Sequence, residues 1–320
     1  FFFLAMSKLP RQTSIVSVTA YEDGLVLKAL VTVPSEESIS AHPGGPVVLL
    51  APATAVPCRF YLPFLCFLAE QGIPSITFDW RGTHSNLRGS MADSRASLSD
   101  WGMKDLPGMI DFITAKYPKR KLVHIGHSVG GHVMPLPHNA HKISHAITVG
   151  AQNAFYPLTP FRSRHQIFWN VAVPAASSIF GYFPGSKMKI VGDLPSTVMQ
   201  SWREWANKPF YVASMSPLTL ERYRDFKAPV LAISVDDDEY ATRLGVQLLH
   251  REISSKVQFW HIDHNDLPRK LPLRHVGFFF PHHGKVLWPQ TLPFLFSGEL
   301  PAIETLQPHA PSETDLLCRL

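Results

Sequence analysis

The sequence predicts an α/β fold in which a mostly parallel central sheet is flanked by helices and carries an aromatic-rich helical cap insertion. Short apolar runs alternate with helix-like segments along most of the chain, which is typical of strands connected through helices. Residues 153–214 lack this alternation and are rich in aromatic residues and proline. With 45% hydrophobic and 17% charged residues among 320, the chain can bury a large core. This composition excludes a disordered or fibrous protein.

The predicted sheet consists of one hairpin and six buried strands. Residues 15–19 and 25–33 are β-branched runs on either side of an acidic, glycine-containing turn at 22–24, which predicts an antiparallel hairpin. Six further runs are apolar without alternation, as expected for strands covered on both faces: residues 46–51, 75–79, 121–125, 146–149, 230–235 and 257–262. Residues 60–70 and 101–115 are helix-like and lie between these runs.

The cap insertion divides the predicted core into two parts. We expect a disordered or loosely attached N-terminus at 1–14, core at 15–152, cap at 153–214, core again at 215–297 and a C-terminal tail at 298–320. Within the cap, residues 167–183 are apolar, but Asn, Pro, Ser and Gly interrupt the stretch. These interruptions favour a cap helix over a membrane span.

Charge and cysteine content weigh against several function classes. The net charge is +5, but the 30 Lys and Arg residues are scattered, so nothing favours nucleic-acid binding. Cys58, Cys66 and Cys318 are an odd number without metal-type spacing, which indicates a reducing, cytoplasmic setting rather than a disulfide framework. The apolar residues 1–6 are too short to cross a bilayer and do not resemble a signal peptide, so we expect no stable membrane insertion. The oligomeric state is left open.

The strongest local motif is the G-x-S-x-G sequence from Gly126 to Gly130, directly after the predicted strand 121–125. Small residues on either side of the serine permit the strained turn that exposes a nucleophilic hydroxyl. Ser128 is therefore the candidate nucleophile. Pro135 and Pro137 follow soon afterwards and are expected to shorten the next helix.

A nucleophilic serine needs a histidine base, which in turn needs a carboxylate to orient it. With this type of turn, the acid follows the serine in the chain, in the loop after a late strand, and the base follows the acid. The predicted strand 230–235 runs into four consecutive acidic residues, 236–239. We favour Asp238, keep Asp237 as the second choice, and expect the other two to be solvated.

His275 is the best-placed base, because it lies in a turn that is followed by glycine and an aromatic run. The other downstream candidates are His261, His264, His282 and His283. They form two close pairs, but no facing carboxylate and third ligand occur at a recognisable spacing. We therefore expect these four histidines to be structural or exposed, and no metal to be bound.

The oxyanion of an acyl-transfer reaction needs backbone N–H donors from the residue after the nucleophile and from the loop after an early strand. Val129 supplies the first donor. In the early loop, Pro52 and Pro57 have no N–H, which leaves Ala53 or Thr54 as the second. Ala53 has the better register and is preferred.

Together these motifs resemble the α/β-hydrolase superfamily, and specifically its serine aminopeptidase-like branch of predicted hydrolases. The resemblance spans roughly residues 16–296; it is specific at 126–131 and 275–279 and supported at 51–54, 60–61, 77–83, 101–105, 202–205 and 237–238. It implies Ser128 as nucleophile, Asp238 as acid and His275 as base. Family members usually have glycine where Ala55 and His84 stand, so we expect a different loop shape near the oxyanion site, with a narrower pocket or reduced activity.

The resemblance implies a serine hydrolase that cleaves carboxylic esters, or less readily amides or thioesters, through an acyl-enzyme and without a cofactor. The expected substrate is a small apolar ester held by the aromatic cap, with Trp169 and Trp202 as candidate contacts. Two alternatives use the same fold: a protein without catalysis that binds a ligand or a partner, and an acyltransferase with the same triad. A further alternative is an enzyme anchored to a membrane through residues 1–4 and 167–183.

Overall fold

The computed structural model of the chain describes residues 9–211, 215–268 and 270–299. Residues 1–8 of the predicted N-terminal segment 1–14 lie outside the described residues. The predicted tail at 298–320 lies outside them from residue 300 onward, and so does Cys318. The end of the predicted cap, at 212–214, is likewise outside them.

An eight-stranded sheet forms the centre of the described molecule, in the order β1-β2-β4-β3-β5-β6-β9-β10. The strands are β1 (Thr13–Thr19), β2 (Val26–Thr32), β3 (Val47–Ala51), β4 (Ser75–Phe78), β5 (Leu122–His127), β6 (Ile143–Val149), β9 (Val230–Val235) and β10 (Val257–Ile262). β1 and β2 pair antiparallel, as do β2 and β4, and all other neighbours in this sheet are parallel. The predicted mostly parallel sheet with an N-terminal hairpin is therefore confirmed.

Helices cover both faces of this sheet. They are α1 (Glu36–Ala41), α2 (Leu62–Glu70), α3 (Leu98–Asp100), α4 (Leu106–Lys116), α5 (Val129–His132), α6 (Arg162–Ile167), α7 (Val173–Phe180), α8 (Gly185–Met188), α9 (Ser196–Ala206), α10 (Pro217–Asp225), α11 (Arg243–His250) and α12 (Pro281–Ser297). The helix predicted at 101–115 begins as a π-helical turn, Trp101–Asp105, and continues as α4. α5 has only four residues, in line with the shortening expected from the two prolines that follow it.

The side chains of β3 explain why this strand reads as a continuous apolar run. Val47 and Leu49 pack into the core on the face covered by α4, whereas Val48 and Leu50 pack into the core on the face covered by α2 and α12. All four are fully buried. A strand buried on both faces has no polar side to alternate with.

The chain leaves the central sheet after β6 and returns to it at β9. Between them lie α6 to α10 and a small antiparallel pair, β7 (Tyr182–Phe183) with β8 (Leu194–Pro195). Buried apolar residues of this segment, among them Trp169, Phe183 and Trp205, belong to the same core as α4. The segment therefore packs continuously on one side of the sheet. None of the described helices is both long enough and apolar enough to cross a bilayer.

Candidate active site

Ser128 lies at the sharp turn between β5 and α5. Its backbone has φ 50° and ψ −115°, a strained conformation for a residue with a side chain. The turn needs glycine at Gly130, because a Cβ there would lie 2.2 Å from the carbonyl oxygen of Ala51 at the end of β3. The Ser128 N–H donates to Val149 O, 2.8 Å away, which ties the turn to the end of β6. The predicted elbow therefore has the geometry that presents a serine at the carboxyl edge of a parallel sheet.

Asp238 and His275 form a hydrogen-bonded pair beside this turn. The His275 Nδ1–H donates to Asp238 Oδ2 over 2.8 Å, and the N–H groups of Tyr240 and Ala241 donate to Asp238 Oδ1 over 2.9 Å each. Asp238 is 4% exposed. A buried carboxylate with three donors holds the imidazole in the tautomer whose Nε2 accepts a proton.

The electrostatics of the pair favour its charged form. Burial raises the pKa of Asp238, but the charge and hydrogen bond of His275 and the two backbone donors outweigh it, so the pKa stays below its usual value. Burial lowers the pKa of His275, but the charge and hydrogen bond of Asp238 raise it above its usual value overall. An imidazolium at position 275 is therefore stabilised where it would form during catalysis.

The other acids of this loop have different partners. Asp237 Oδ1 accepts the N–H of Arg274 over 2.7 Å, and Asp236 accepts both the N–H and the Nδ1–H of His264, over 2.9 and 2.7 Å. Of the two acids that the sequence left as candidates, the structure places Asp238 against the imidazole. Its catalytic role stays a prediction.

Gly150 connects the acid–base pair to Ser128. It follows Val149, the acceptor of the Ser128 N–H, and has φ +59°. A Cβ on Gly150 would lie 3.2 Å from His275 Cε1 and 3.5 Å from Asp238 Oδ2, so the pair packs directly against this residue. Within the described residues the imidazole bonds Asp238, and no hydrogen bond joins it to Ser128 Oγ. Catalytic hydrogen bonds of this kind are often long without substrate and tighten when it binds.

A second buried hydrogen-bond network, which the sequence did not predict, links the loop of Ala53, the end of β5 and the loop of His275. Tyr61 Oη lies 2.9 Å from the Ala53 N and 2.7 Å from His127 Nδ1, and His127 Nε2 lies 2.8 Å from the carbonyl oxygen of His275. A carbonyl only accepts, so His127 Nε2 carries the proton and its Nδ1 accepts from the Tyr61 hydroxyl. The Tyr61 oxygen is then left to accept from Ala53. Each donor in this network therefore has one acceptor.

Burial keeps this network neutral. The side chains of Tyr61 and His127 are fully buried. Burial, and then the positive charge of nearby His275, lower the pKa of His127 to about 3, and burial raises the pKa of Tyr61 well above its usual value. In the sequence these residues are marked only by their positions: His127 lies inside the G-x-S-x-G motif, and Tyr61 lies in the stretch 60–61 that supports the family resemblance.

The network involves one predicted donor of the oxyanion site, the Ala53 N–H. The Ala53 N–H is committed to Tyr61 over 2.9 Å, so it is not the free donor that the register suggested. Within the described residues, the N–H groups of Val129 and Thr54 have no acceptor, and Thr54 Oγ1 is buried without a hydrogen-bond partner. Thr54, the alternative in the same loop, therefore has the available donor.

Both departures from the family pattern occur where glycine is favoured. Ala55 has φ 57° and His84 has φ 39°, in the left-handed region that residues with a Cβ rarely adopt. Ala55 is 4% exposed, and a Cβ on Gly192 of the cap segment would lie 2.9 Å from its methyl group. The cap segment therefore packs onto the loop that carries Thr54.

The two tryptophans predicted to contact substrate lie together in the cap segment. Their ring centroids are 5.3 Å apart; Trp169 is 7% exposed, and Trp202 is half-buried against the same core. Both rings therefore pack within the segment, and their contact with substrate stays a prediction.

Among the residues that the structure describes, one group of side chains has ligand atoms close enough to hold a cation. Atoms of Asp236, Asp237 and His264 lie within 4.8 Å of one another on an accessible loop. The Asp236 side chain already accepts two hydrogen bonds from His264, which raises the pKa of that histidine, and Asp237 accepts from Arg274. These groups are satisfied by each other, and the absence of a metal in the function stays a prediction.

Comparison with known proteins relates this chain to one family. A model described as the alpha/beta hydrolase family matches residues 47–286, most of the chain. The alpha/beta hydrolase GrgF from Penicillium sp. sh18 is 16% identical with a TM-score of 0.58, covering 90% of this chain and 98% of that chain. Est1E from Butyrivibrio proteoclasticus, solved with ferulic acid bound, is 15% identical with a TM-score of 0.55, covering 85% and 95%. The Pyrococcus furiosus esterase Pf2001 is 15% identical with a TM-score of 0.52, covering 88% and 89%. A search of curated protein sequences found no match.

Proposed function

The chain belongs to the alpha/beta hydrolase family, and from this premise we propose that it is a serine hydrolase that cleaves carboxylic esters of small apolar substrates through an acyl-enzyme. The observation that carries the proposal is the hydrogen-bonded Asp238–His275 pair, 2.8 Å between Oδ2 and Nδ1, which packs against Gly150, the residue after the acceptor of the Ser128 N–H. A serine hydrolase needs a histidine base that is oriented by a carboxylate close to the nucleophile, and this pair supports the proposal.

In the proposed reaction, His275 Nε2 takes the proton of the Ser128 hydroxyl as Oγ attacks the carbonyl carbon of the ester. The C=O π electrons move to oxygen, and the N–H groups of Val129 and Thr54 donate to the oxyanion. When the carbonyl re-forms, the C–O bond to the alcohol breaks, and His275 gives its proton to the leaving oxygen. A water then repeats both steps, with His275 again as base, and releases the acid and Ser128.

Ester cleavage is preferred over amide or thioester cleavage by analogy with esterases of the same fold. Two of the similar structures support this choice. Pf2001 is named an esterase, and Est1E was solved with ferulic acid, an aromatic acid, bound. We also propose that residues 153–214 form the cap that selects the acyl group. The assignment of the chain to the serine aminopeptidase-like branch is part of the same proposal.

A reducing, cytoplasmic setting completes the proposal. Cys58 and Cys66 are free thiols, the first buried and the second partly buried. Burial raises the pKa of both thiols, so neither is activated as a nucleophile. The cysteines therefore support a structural role under reducing conditions and leave the chemistry to Ser128.

The test is labelling with a fluorophosphonate probe together with hydrolysis of p-nitrophenyl esters of graded acyl length. Replacing the nucleophile in Ser128→Ala should abolish labelling and lower kcat by about 10³-fold or more, while circular dichroism stays unchanged. A folded Ser128→Ala protein with undiminished turnover would refute the mechanism. A wild-type chain that is neither labelled nor active would favour a binding protein without catalysis, and transfer of the acyl group to an added alcohol in preference to water would favour an acyltransferase.

A further inference from the structure

The longest helix of the cap segment is apolar on its inner side. It runs from Arg162 to Phe180 as α6, a π-helical turn at Phe168–Ala172, and α7. Trp169, Val173 and Ala176 face the core and are at most 9% exposed. These residues account for the packing of the helix on the rest of the molecule.

The opposite side of the same helix is also apolar, although it faces solvent. Ile167, Val171 and Ile179 are 62%, 60% and 75% exposed. With exposed Ala175 they follow one another at intervals of four residues, so they form one stripe, roughly 18 Å long. From Ile167 onward the helix has apolar residues on both its inner and its outer side, and a contiguous exposed apolar surface of this kind often marks an interaction site.

Each end of the stripe has an exposed aromatic ring beside a cation. Phe161, 42% exposed, lies 5.9 Å from the guanidinium of Arg164, and Phe180, 45% exposed, lies 5.4 Å from the ammonium of Lys187. Aromatic rings and long basic side chains that flank an apolar helix face are typical of helices lying at a lipid–water boundary.

The charge of the surrounding segment decides between partners. From residue 151 to residue 193 the sequence has four basic residues, Arg162, Arg164, Lys187 and Lys189, and one acidic residue, Asp193, whose carboxylate accepts the N–H of Ser186. All four basic residues are exposed. A second copy of the chain, docked through the same face about a twofold axis, would bring these positive charges together. An anionic surface would neutralise them instead.

We propose that this outer face of the cap helix, the stripe with Phe161, Phe180 and their two cations, docks reversibly on a membrane surface that contains anionic lipids. The apolar stripe inserts at the boundary between headgroups and acyl chains, and the basic residues contact the anionic headgroups. The proposal concerns binding and does not depend on the proposed hydrolysis.

The experiment is co-sedimentation of the full chain with vesicles of phosphatidylcholine alone, or with about 30% phosphatidylserine. Wild type should bind the anionic vesicles and bind less as salt is raised. Val171→Ser and Ile179→Ser should each weaken binding by about tenfold. Arg164→Ser and Lys187→Ser should each weaken it by about fivefold on anionic vesicles only.

The matched control is Ile15→Ser, which removes an isoleucine that is 56% exposed on β1, outside the cap. It should bind as wild type, and so should Ser128→Ala, which separates docking from hydrolysis. Absence of binding to anionic vesicles, or equal losses with Ile15→Ser and Ile179→Ser, would overturn the proposal. So would a dimer in solution that Ile179→Ser dissociates, because the stripe would then be an interface between copies.

Discussion

The Tyr61 hydroxyl offers the sharpest test of how the candidate site is held together. Tyr61→Phe removes one oxygen and two hydrogen bonds, 2.9 Å to the Ala53 N and 2.7 Å to His127 Nδ1, and leaves the buried ring in place. Each of these partners is then buried without a partner, at about 1–3 kcal/mol apiece. We therefore expect the free energy of unfolding to fall by about 2–6 kcal/mol in urea titrations.

Tyr223→Phe is the control for this loss. Tyr223 is also almost fully buried, and its hydroxyl donates a single hydrogen bond, to the carbonyl oxygen of His132. Removing it leaves one acceptor unpaired, so the expected loss is about 1–3 kcal/mol, half of that at Tyr61. Equal losses in the two variants would contradict the double role of the Tyr61 oxygen.

The same substitution should slow the chemistry without weakening substrate binding. With Tyr61→Phe, the loop of Ala53 and the carbonyl of His275 are no longer linked through His127, so the oxyanion donors and the base lose their mutual position. We expect kcat and the rate of fluorophosphonate labelling to fall roughly tenfold or more, with KM nearly unchanged. An unchanged or faster labelling rate would refute the reasoning, because it would make the released Ala53 N–H an oxyanion donor.

His127 variants separate positioning from general stability. His127→Gln keeps a side-chain N–H that reaches toward the carbonyl of His275, whereas His127→Leu keeps no donor, so His127→Gln should retain more of kcat. Because the pKa of His127 is about 3, the imidazole is neutral throughout the working range. The loss of rate should therefore be the same at every pH from about 5 to 9. A loss that varies with pH would assign the titration to His127 itself.

The remaining predictions concern the acid, the strained loop and the cap. In the proposed mechanism neutral His275 is the base, so activity should rise with pH through its pKa, which Asp238 raises. Asp238→Asn should move the midpoint of the pH–rate profile to lower pH and reduce kcat by about 10⁴-fold. Ala55→Gly should raise the free energy of unfolding by about 1 kcal/mol in urea titrations, because φ 57° favours glycine. Each methylene added to the acyl chain of the ester should raise kcat/KM roughly fourfold. Trp169→Ala or Trp202→Ala should flatten this dependence on chain length while leaving the hydrolysis of acetate esters unchanged. A dependence that survives both substitutions would exclude these rings from the acyl pocket.

The sequence was sufficient for the sheet and for the elbow because both depend on local patterns. Strands covered on two faces appear as continuous apolar runs, and the Ser128 turn needs small residues at fixed distances in the chain. The acid could be narrowed only to Asp238 or Asp237, because the path of the loop decides which carboxylate reaches the imidazole. In the structure that carboxylate is Asp238, and Asp237 instead accepts the N–H of Arg274.

The oxyanion loop could not be predicted because its hydrogen bonds come from residues distant in the chain. Register alone favoured Ala53, but a hydroxyl eight residues later takes that N–H, and the hydroxyl is held in turn by His127 on another strand. No local pattern in the sequence indicates the hydrogen bond that occupies the Ala53 N–H, and the choice of oxyanion donor between Ala53 and Thr54 stays a prediction. Most buried polar groups are paired in folded proteins, and their pairing is settled only when the loops come together.

The contact between Ala55 and Gly192 shows how the departure from the family pattern is accommodated. The cap favours glycine at position 192 whichever residue the loop carries, because a Cβ there would also lie 3.0 Å from the Ala55 carbonyl oxygen. Here the loop has the methyl, and the cap has glycine at the position where a Cβ would come within 2.9 Å of it. The strained Ala55 and the bare Gly192 therefore form a complementary pair that fixes the distance between the cap and the loop carrying Thr54. This contact therefore links the cap to the loop that carries Thr54, and a change in either residue should be felt by both.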